Sequence, residues 1–199
     1  MRDVSDNMRG AGLMALGMAG FTLNDSVMKS VGTDLDLFQA IFVRGVFATI
    51  LIGLLAWRAG AFHSRPDKRD RGLIALRSVA ELGATFCFLT ALINMPIANV
   101  TAILQTLPLT VALAAFFVYG ERFRWHRGIA ILVGLVGVLF IVRPGTEGFN
   151  NYSLLALVAV LFVTLRDMTA RNLSRGVSSL LVAFVTSLVI TSAAGLVSV

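Results

Sequence analysis

The sequence predicts an all-α polytopic membrane protein with about seven transmembrane helices. Hydrophobic residues make up 57% of the 199 residues and charged residues 14%, and the mean hydropathy is +0.83. An ordinary soluble domain is far less apolar. The apolar runs are also too long and too continuous for the strands of a membrane barrel.

Seven windows of roughly 20 mainly apolar residues are long enough to cross a hydrocarbon core of ~30 Å. The first window has no small-residue cleavage site after it and is followed by six others, which favours a retained helix over a signal peptide. No loop between the windows is long enough for a separate soluble domain. The windows lie at residues 11–31, 38–57, 76–95, 97–119, 128–143, 153–171 and 179–198.

Basic residues are distributed unequally between the two ends of these spans. If the amino terminus is inside, one side holds 14 of the 17 basic residues and the other holds only Lys29, Arg44 and Arg143. Lys and Arg are retained on the cytoplasmic side, so we expect a cytoplasmic amino terminus in the inner membrane. The net charge of +6 then reflects topology, and no nucleic-acid partner is predicted. The 14 residues are Arg2, Arg9, Arg58, Arg65, Lys68, Arg69, Arg71, Arg77, Arg122, Arg124, Arg127, Arg166, Arg171 and Arg175.

Residues recur along the chain at an offset of 142 positions. The run Thr-Leu-x-Asp-x-x-x-basic begins at Thr22 and again at Thr164. Five apolar spans fill the offset, so the second copy would enter the membrane in the opposite direction. Inverted repeats are a hallmark of secondary transporters, although matches between apolar helices also arise by chance. Further matched residues are Phe42 with Phe184 and Gly53 with Gly195.

Ionisable side chains inside the spans each need a partner or a water-filled cavity. Asn24 and Asp25 precede Lys29, and the spacing of Asp25 and Lys29 suits an ion pair on one helix face. The same spacing recurs in Asp167 and Arg171. These residues therefore fit either a substrate site or a self-neutralising structural pair.

Arg44 lies about two turns inside the second span, and the repeat does not account for it because its counterpart is Thr186. Its planar guanidinium suits a substrate carboxylate or phosphate, or it could join helices by pairing with an aspartate. Glu81 lies one turn after Arg77, which predicts an interfacial ion pair between them. If the third span begins before residue 76, Glu81 lies deeper and becomes a candidate proton carrier.

Pro108 lies in the middle of the fourth span, where it predicts a helix kink that frees the carbonyl of Leu104. Asn99 and Gln105 offer neutral hydrogen-bonding groups near this kink, and we predict that they line a cavity at mid-membrane. The alternative is an ordinary membrane helix, since neighbouring helices can satisfy a freed backbone group.

No nucleotide-binding loop, hydrolase motif or zinc-ligand spacing occurs in the sequence. The single cysteine, Cys87, lies in an apolar stretch and cannot build a disulfide framework. We therefore expect no enzymatic activity, no catalytic residue, no metal and no cofactor.

Five short motifs follow one another along the chain: FTLNDSVMK ending at Lys29, Arg44, ALINMP ending at Pro96, GER at 120–122, and GLVGV followed by Arg143-Pro144. In this order they resemble the EamA-domain branch of the drug/metabolite transporter superfamily. The resemblance implies ten helices in two inverted five-helix repeats, and transport of a small metabolite without ATP. It supplies no catalytic motif that can be carried over to these residues.

Under this resemblance, residues 1–146 form the first EamA repeat and residues 147–199 begin the inverted second repeat, so a ten-helix parent would have about 90 further residues. The expected function is a secondary transporter that moves an amino acid or similar amphiphilic solute across the inner membrane by alternating access. The alternative is a non-transporting scaffold or assembly subunit. The expected partners are the small-molecule substrate and the lipid bilayer, and a homodimer is left open. The candidate substrate-binding residues are Arg44, Asn24, Asp25, Glu81, Asn99 and Gln105.

Overall fold

All the regular structure in the described part of the chain is helical. This part comprises residues 2–31, 36–120, 151–174 and 176–198, with residues 125, 128, 129, 133, 134, 136 and 137. In this computed structural model, a single-turn 3-10 helix (Ala61–His63) follows the second α-helix. The α-helices are α1 (Arg2–Val31), α2 (Leu37–Arg58), α3 (Lys68–Asn94), α4 (Ile97–Leu104), α5 (Leu107–Tyr119), α6 (Asn151–Arg171) and α7 (Ser179–Val197).

Five of the described segments are long and apolar enough to cross a membrane, namely α2, α3, α4 together with α5, α6 and α7. The prediction of an all-α, multi-pass membrane protein is confirmed. Helix α1 covers the first predicted span but is not among these five. Most of the predicted fifth span, 128–143, lies outside the described residues.

Helix α3 begins at Lys68, eight residues before the predicted span. Lys and Arg are good helix formers, so the charged run after Asp67 extends the helix beyond its apolar part. Glu81 consequently lies near the middle of α3 rather than at its end. Its position is internal to the helix, and its depth in the membrane stays a prediction.

The fourth span is interrupted in the middle. Helix α4 ends at Leu104 and α5 begins at Leu107, with Thr106 donating its backbone N–H to the carbonyl of Ile103 at 3.0 Å. Pro108 follows at the start of α5 and has no N–H to offer the carbonyl of Leu104. This break brings the ends of two short helices to the centre of the bundle.

Helix α3 packs against both α1 and α6, and it fixes their directions. Lys29 near the end of α1 reaches the carbonyl of Leu92 near the end of α3, so these two helices run parallel. Arg166 near the end of α6 contacts Glu81, whereas Ser153 near its start contacts Met95, so α6 runs antiparallel to α3. Helices α1 and α6 therefore run in opposite directions. The largest fully buried apolar side chains of this core are Leu89, Leu92, Val100, Ile103 and Val160.

Helices α2 and α7 cross antiparallel, and residues related by the 142-position offset exchange contacts. A Cβ atom on Gly53 would lie 2.9 Å from the ring of Phe184, and a Cβ atom on Gly195 would lie 2.8 Å from the ring of Phe42. Each phenylalanine thus packs on the glycine of the other copy. Small residues allow membrane helices to approach this closely. Such close packing stabilises the helix pair in lipid, where no hydrophobic effect drives the helices together.

Hydroxyl groups meet between these two rings. Thr49 and Thr191, which are 142 positions apart, hydrogen-bond through their side-chain oxygens at 3.1 Å. Thr49 also bonds the hydroxyl of Ser187 at 2.8 Å. If a local two-fold axis exchanges α2 with α7, a residue close to that axis is expected to contact its own repeat counterpart, as Thr49 and Thr191 do.

Replacing Gly53 by alanine is expected to lower stability by about 1–3 kcal/mol, because the added methyl group overlaps the ring of Phe184. Gly72 is the matched control, since it is helical and a Cβ atom there meets nothing within 4 Å. Gly72→Ala should be neutral or stabilising by up to ~1 kcal/mol. Thermal unfolding in detergent measures both, and equal effects would show that the close contact of α2 with α7 is absent.

Candidate functional site

A cavity of about 140 Å³ lies among α1, α2, α3, α6 and the break between α4 and α5. Its charged lining residues are Asp25, Arg44, Glu81 and Arg166, and Asn24 lies beside Asp25. The structure thus brings together four of the six residues predicted to bind substrate. The rest of the lining is Phe21, Ala84, Thr85, Phe88, Leu89, Leu104, Leu107 and Val163.

Arg44 enters the cavity from α2. The amino-terminal end of this helix is capped by Asp36, whose carboxylate accepts the backbone N–H of Phe38 at 3.1 Å. Arg44 interacts electrostatically with Asp25 and Glu81, yet in the described part of the chain it forms no ion pair within 4 Å. A helix-joining pair with Asp25 or Asp36 is therefore not formed, and Asp34 lies outside the described residues.

Asp25 is only 6% exposed and accepts a hydrogen bond from the amide of Asn24 at 3.2 Å. Of the two alternatives for these residues, the ion pair between Asp25 and Lys29 does not form among the described residues. The ammonium of Lys29 instead donates to the carbonyls of Leu92, at 2.6 Å, and Met95. The carbonyls at the end of α3 have no partner within the helix, so they attract this cation more strongly than spacing along α1 suggests.

Glu81 is held by Arg166 rather than by Arg77. The Nη1 atom of Arg166 donates to both carboxylate oxygens of Glu81, at 3.0 and 3.1 Å. Its Nε atom donates to Asp167 at 2.9 Å. The predicted pair Arg77–Glu81 is therefore wrong. Asp167, whose spacing to Arg171 repeats that of Asp25 to Lys29, also contacts Arg166.

Arg166 is the charged lining residue that sequence reasoning missed, because it was counted with the cytoplasmic basic residues. A signal was nevertheless present, since its counterpart in the 142-position repeat is Asn24, which was a candidate itself. Among the described lining residues, the guanidinium of Arg44 is able to bind an anionic ligand, and the carboxylate of Asp25 has the amide of Asn24 as its hydrogen-bond partner.

Asn99 and Gln105 do not line this cavity, contrary to the prediction. Gln105 is exposed, and the residues that reach the cavity from the break are Leu104 and Leu107. The turn between α4 and α5 interrupts the helical period of 3.6 residues. The residues of this span that face the cavity therefore could not be derived by treating it as one continuous helix.

The chain matches the EamA-like transporter family over residues 8–143. It is 24% identical to the S-adenosylmethionine uptake transporter of Rickettsia felis over 163 residues, which cover 81% of this chain and 54% of that protein. It is 26% identical to the pseudopaline exporter CntI of Pseudomonas aeruginosa over 172 residues, which cover 81% of this chain and 59% of that protein.

The chain spans between about half and three-fifths of the length of these curated relatives. No solved structure is significantly similar to it. The family match covers more than half of the chain and agrees with the all-helical, multi-pass architecture. The chain therefore belongs to the EamA-like transporter family.

Proposed function

We propose that this protein is a secondary transporter that moves a small amphiphilic metabolite bearing a carboxylate, such as an amino acid or a derivative, across the inner membrane. Both relatives are transporters, one named for uptake and the other for export. They support transport as the activity and leave its direction open. The class of cargo follows from the charges of the cavity itself.

The observation that carries the proposal is the guanidinium of Arg44 in a cavity between membrane helices. An ionised side chain inside a membrane costs about 2.5 kcal/mol or more unless it is paired or hydrated. Among the described residues Arg44 has no anion within 4 Å, so its fork of donors is available to a substrate carboxylate. A guanidinium that joined two of the described helices would be paired with one of their carboxylates.

Asp25 supplies the complementary charge. Within the described part of the chain, its buried carboxylate has the amide of Asn24 as its one hydrogen-bond donor, so it can bind a substrate ammonium or take up a proton. The four ionisable groups of the lining, two positive and two negative, balance one another. A balanced site with separated charges suits a zwitterion, and S-adenosylmethionine contains such an amino-acid group.

The size of the cavity limits what the described residues can enclose. Typical metabolite pockets measure roughly 300–1,000 Å³, whereas this cavity measures about 140 Å³. It accommodates the charged end of an amino acid, and the side chain of a larger metabolite would extend beyond the described walls. The aromatic lining residues Phe21 and Phe88 offer an apolar surface to that part.

The inverted arrangement supports alternating access. Helices α1 and α6 run in opposite directions, and α2 crosses α7 about a local two-fold axis. We assign residues 1–146 and 147–199 to the two inverted units, which would rock against each other about the cavity. The excess of basic residues on one side favours a cytoplasmic amino terminus.

Flux measurements in proteoliposomes test this function. Protein purified in its full cellular form should give saturable flux of labelled amino acids or S-adenosylmethionine above protein-free vesicles. The flux should be inhibited by unlabelled substrate and not by its carboxamide, which lacks the anion. Absence of both flux and binding across the amino-acid series would favour the scaffold alternative.

A further inference from the structure

A second cavity, of about 330 Å³, lies between α3, the end of α6 and the start of α7. It shares no lining residue with the Arg44 cavity. Three of its lining residues, Arg77, Ser174 and Ser179, are polar. Its apolar lining residues are Ala170, Leu173, Val177 and Val182.

The buried Nε atom of Arg77 has no hydrogen-bond partner among the described residues. Within the described residues it also forms no ion pair within 4 Å. The acidic residue two turns earlier, Asp70, is outside the cavity lining and accepts the backbone N–H and the hydroxyl of Ser174, at 3.3 and 3.2 Å. Buried polar groups without a partner are rare in folded proteins, and Arg77 is the charged residue of this cavity lining. The cavity is therefore lined by a guanidinium that has no counterion among the described residues.

The start of α7 adds further donors to this cavity. Ser179 is the first residue of α7, and the preceding Ser178 makes no side-chain capping bond. The first N–H groups of a helix have no intrahelical partner, and the helix dipole favours an anion there. Arg77, the hydroxyl of Ser179 and these N–H groups together suit a ligand with several anionic oxygens.

We propose that the Arg77 cavity binds the phosphate group of an anionic membrane lipid. Its apolar lining suits the glycerol and the first carbons of the acyl chains, which a free phosphate lacks. Exposed basic residues surround the same end of α3, and such clusters attract anionic lipids to the membrane surface. These residues are Arg65, Lys68, Arg69 and Arg71.

Thermal unfolding of the delipidated protein in neutral detergent tests this site, with phosphatidylglycerol, phosphatidylcholine or inorganic phosphate added. Phosphatidylglycerol is expected to raise the melting temperature most, because it binds only the folded state. Arg77→Gln should weaken its apparent affinity at least about tenfold, the loss expected for one charge-assisted hydrogen bond. Arg69→Gln removes one of the four exposed charges near this end of α3 and leaves the cavity lining intact, so it should retain most of the shift.

Ser179→Asp separates ligand binding from folding. An acidic residue in the first turn favours the helix, so this variant should fold as well as the wild type, while its carboxylate repels the lipid phosphate. Loss of the phosphatidylglycerol shift in Ser179→Asp and Arg77→Gln alone would support the site. Equal shifts in Arg77→Gln and Arg69→Gln, equal protection by inorganic phosphate, or no lipid effect would overturn the proposal.

Discussion

Replacing Arg44 by alanine is expected to lower the apparent affinity for a carboxylate-bearing substrate about 100-fold, because two charge-assisted hydrogen bonds are lost. Lysine should restore little of this affinity. Its ammonium keeps the charge but cannot present the planar fork that a carboxylate accepts. Initial rates of flux at varied substrate concentration measure both variants. Arg58→Ala is the matched control, since Arg58 is exposed at the end of the same helix.

The carboxamide analogue makes this test specific for the contact. In the wild type the analogue should bind much more weakly than the acid, whereas in Arg44→Ala the two should bind alike. If removing the Arg44 guanidinium abolishes the difference in affinity between acid and carboxamide, the contact between Arg44 and the carboxylate is separated from a general loss of folded protein. If Arg44→Ala and Arg44→Lys both transport like the wild type, Arg44 does not bind the substrate.

The fold class could be predicted from the sequence because the bilayer imposes a simple length rule on apolar helices. Arg44 was found for a related reason, since an isolated guanidinium in an apolar span needs a partner, water or a ligand. Both predictions depend on a local property of one helix. The helix boundary of α3 was less certain, because a charged run can continue a helix beyond its apolar part.

Partner choice between helices could not be predicted in this way. Spacing along one helix paired Lys29 with Asp25 and Arg77 with Glu81, but the structure pairs Lys29 with carbonyls of α3 and Glu81 with Arg166. Spacing rules describe weak interactions of ~0.2–0.5 kcal/mol in isolated helices. Charge-assisted hydrogen bonds across a helix interface, such as those from Nη1 of Arg166 to both oxygens of Glu81, are stronger, so the tertiary partner prevails.

Arg166→Gln is expected to destabilise the protein more than any other single change at the Arg44 cavity. It leaves two carboxylates, Glu81 and Asp167, without their shared cation. The side chains of Arg166 and Glu81 are only 27% and 22% exposed, and breaking such a pair from one side costs about 3 kcal/mol. Glu81→Gln should cost less, because Arg166 keeps Asp167. Asp167→Asn, at a side chain that is 40% exposed, is the matched control with the smallest effect.

The double variant Glu81→Gln/Arg166→Gln distinguishes a structural pair from a functional one. The double variant leaves only Asp167, a partly exposed carboxylate, without the cation, so thermal unfolding should show it to be more stable than Arg166→Gln alone. If the pair only joins α3 to α6, flux should recover together with stability. If Glu81 also carries a proton, the recovered protein should bind substrate but fail to couple its flux to a pH gradient. A double variant as unstable as the sum of the single variants would mean that the two side chains do not interact.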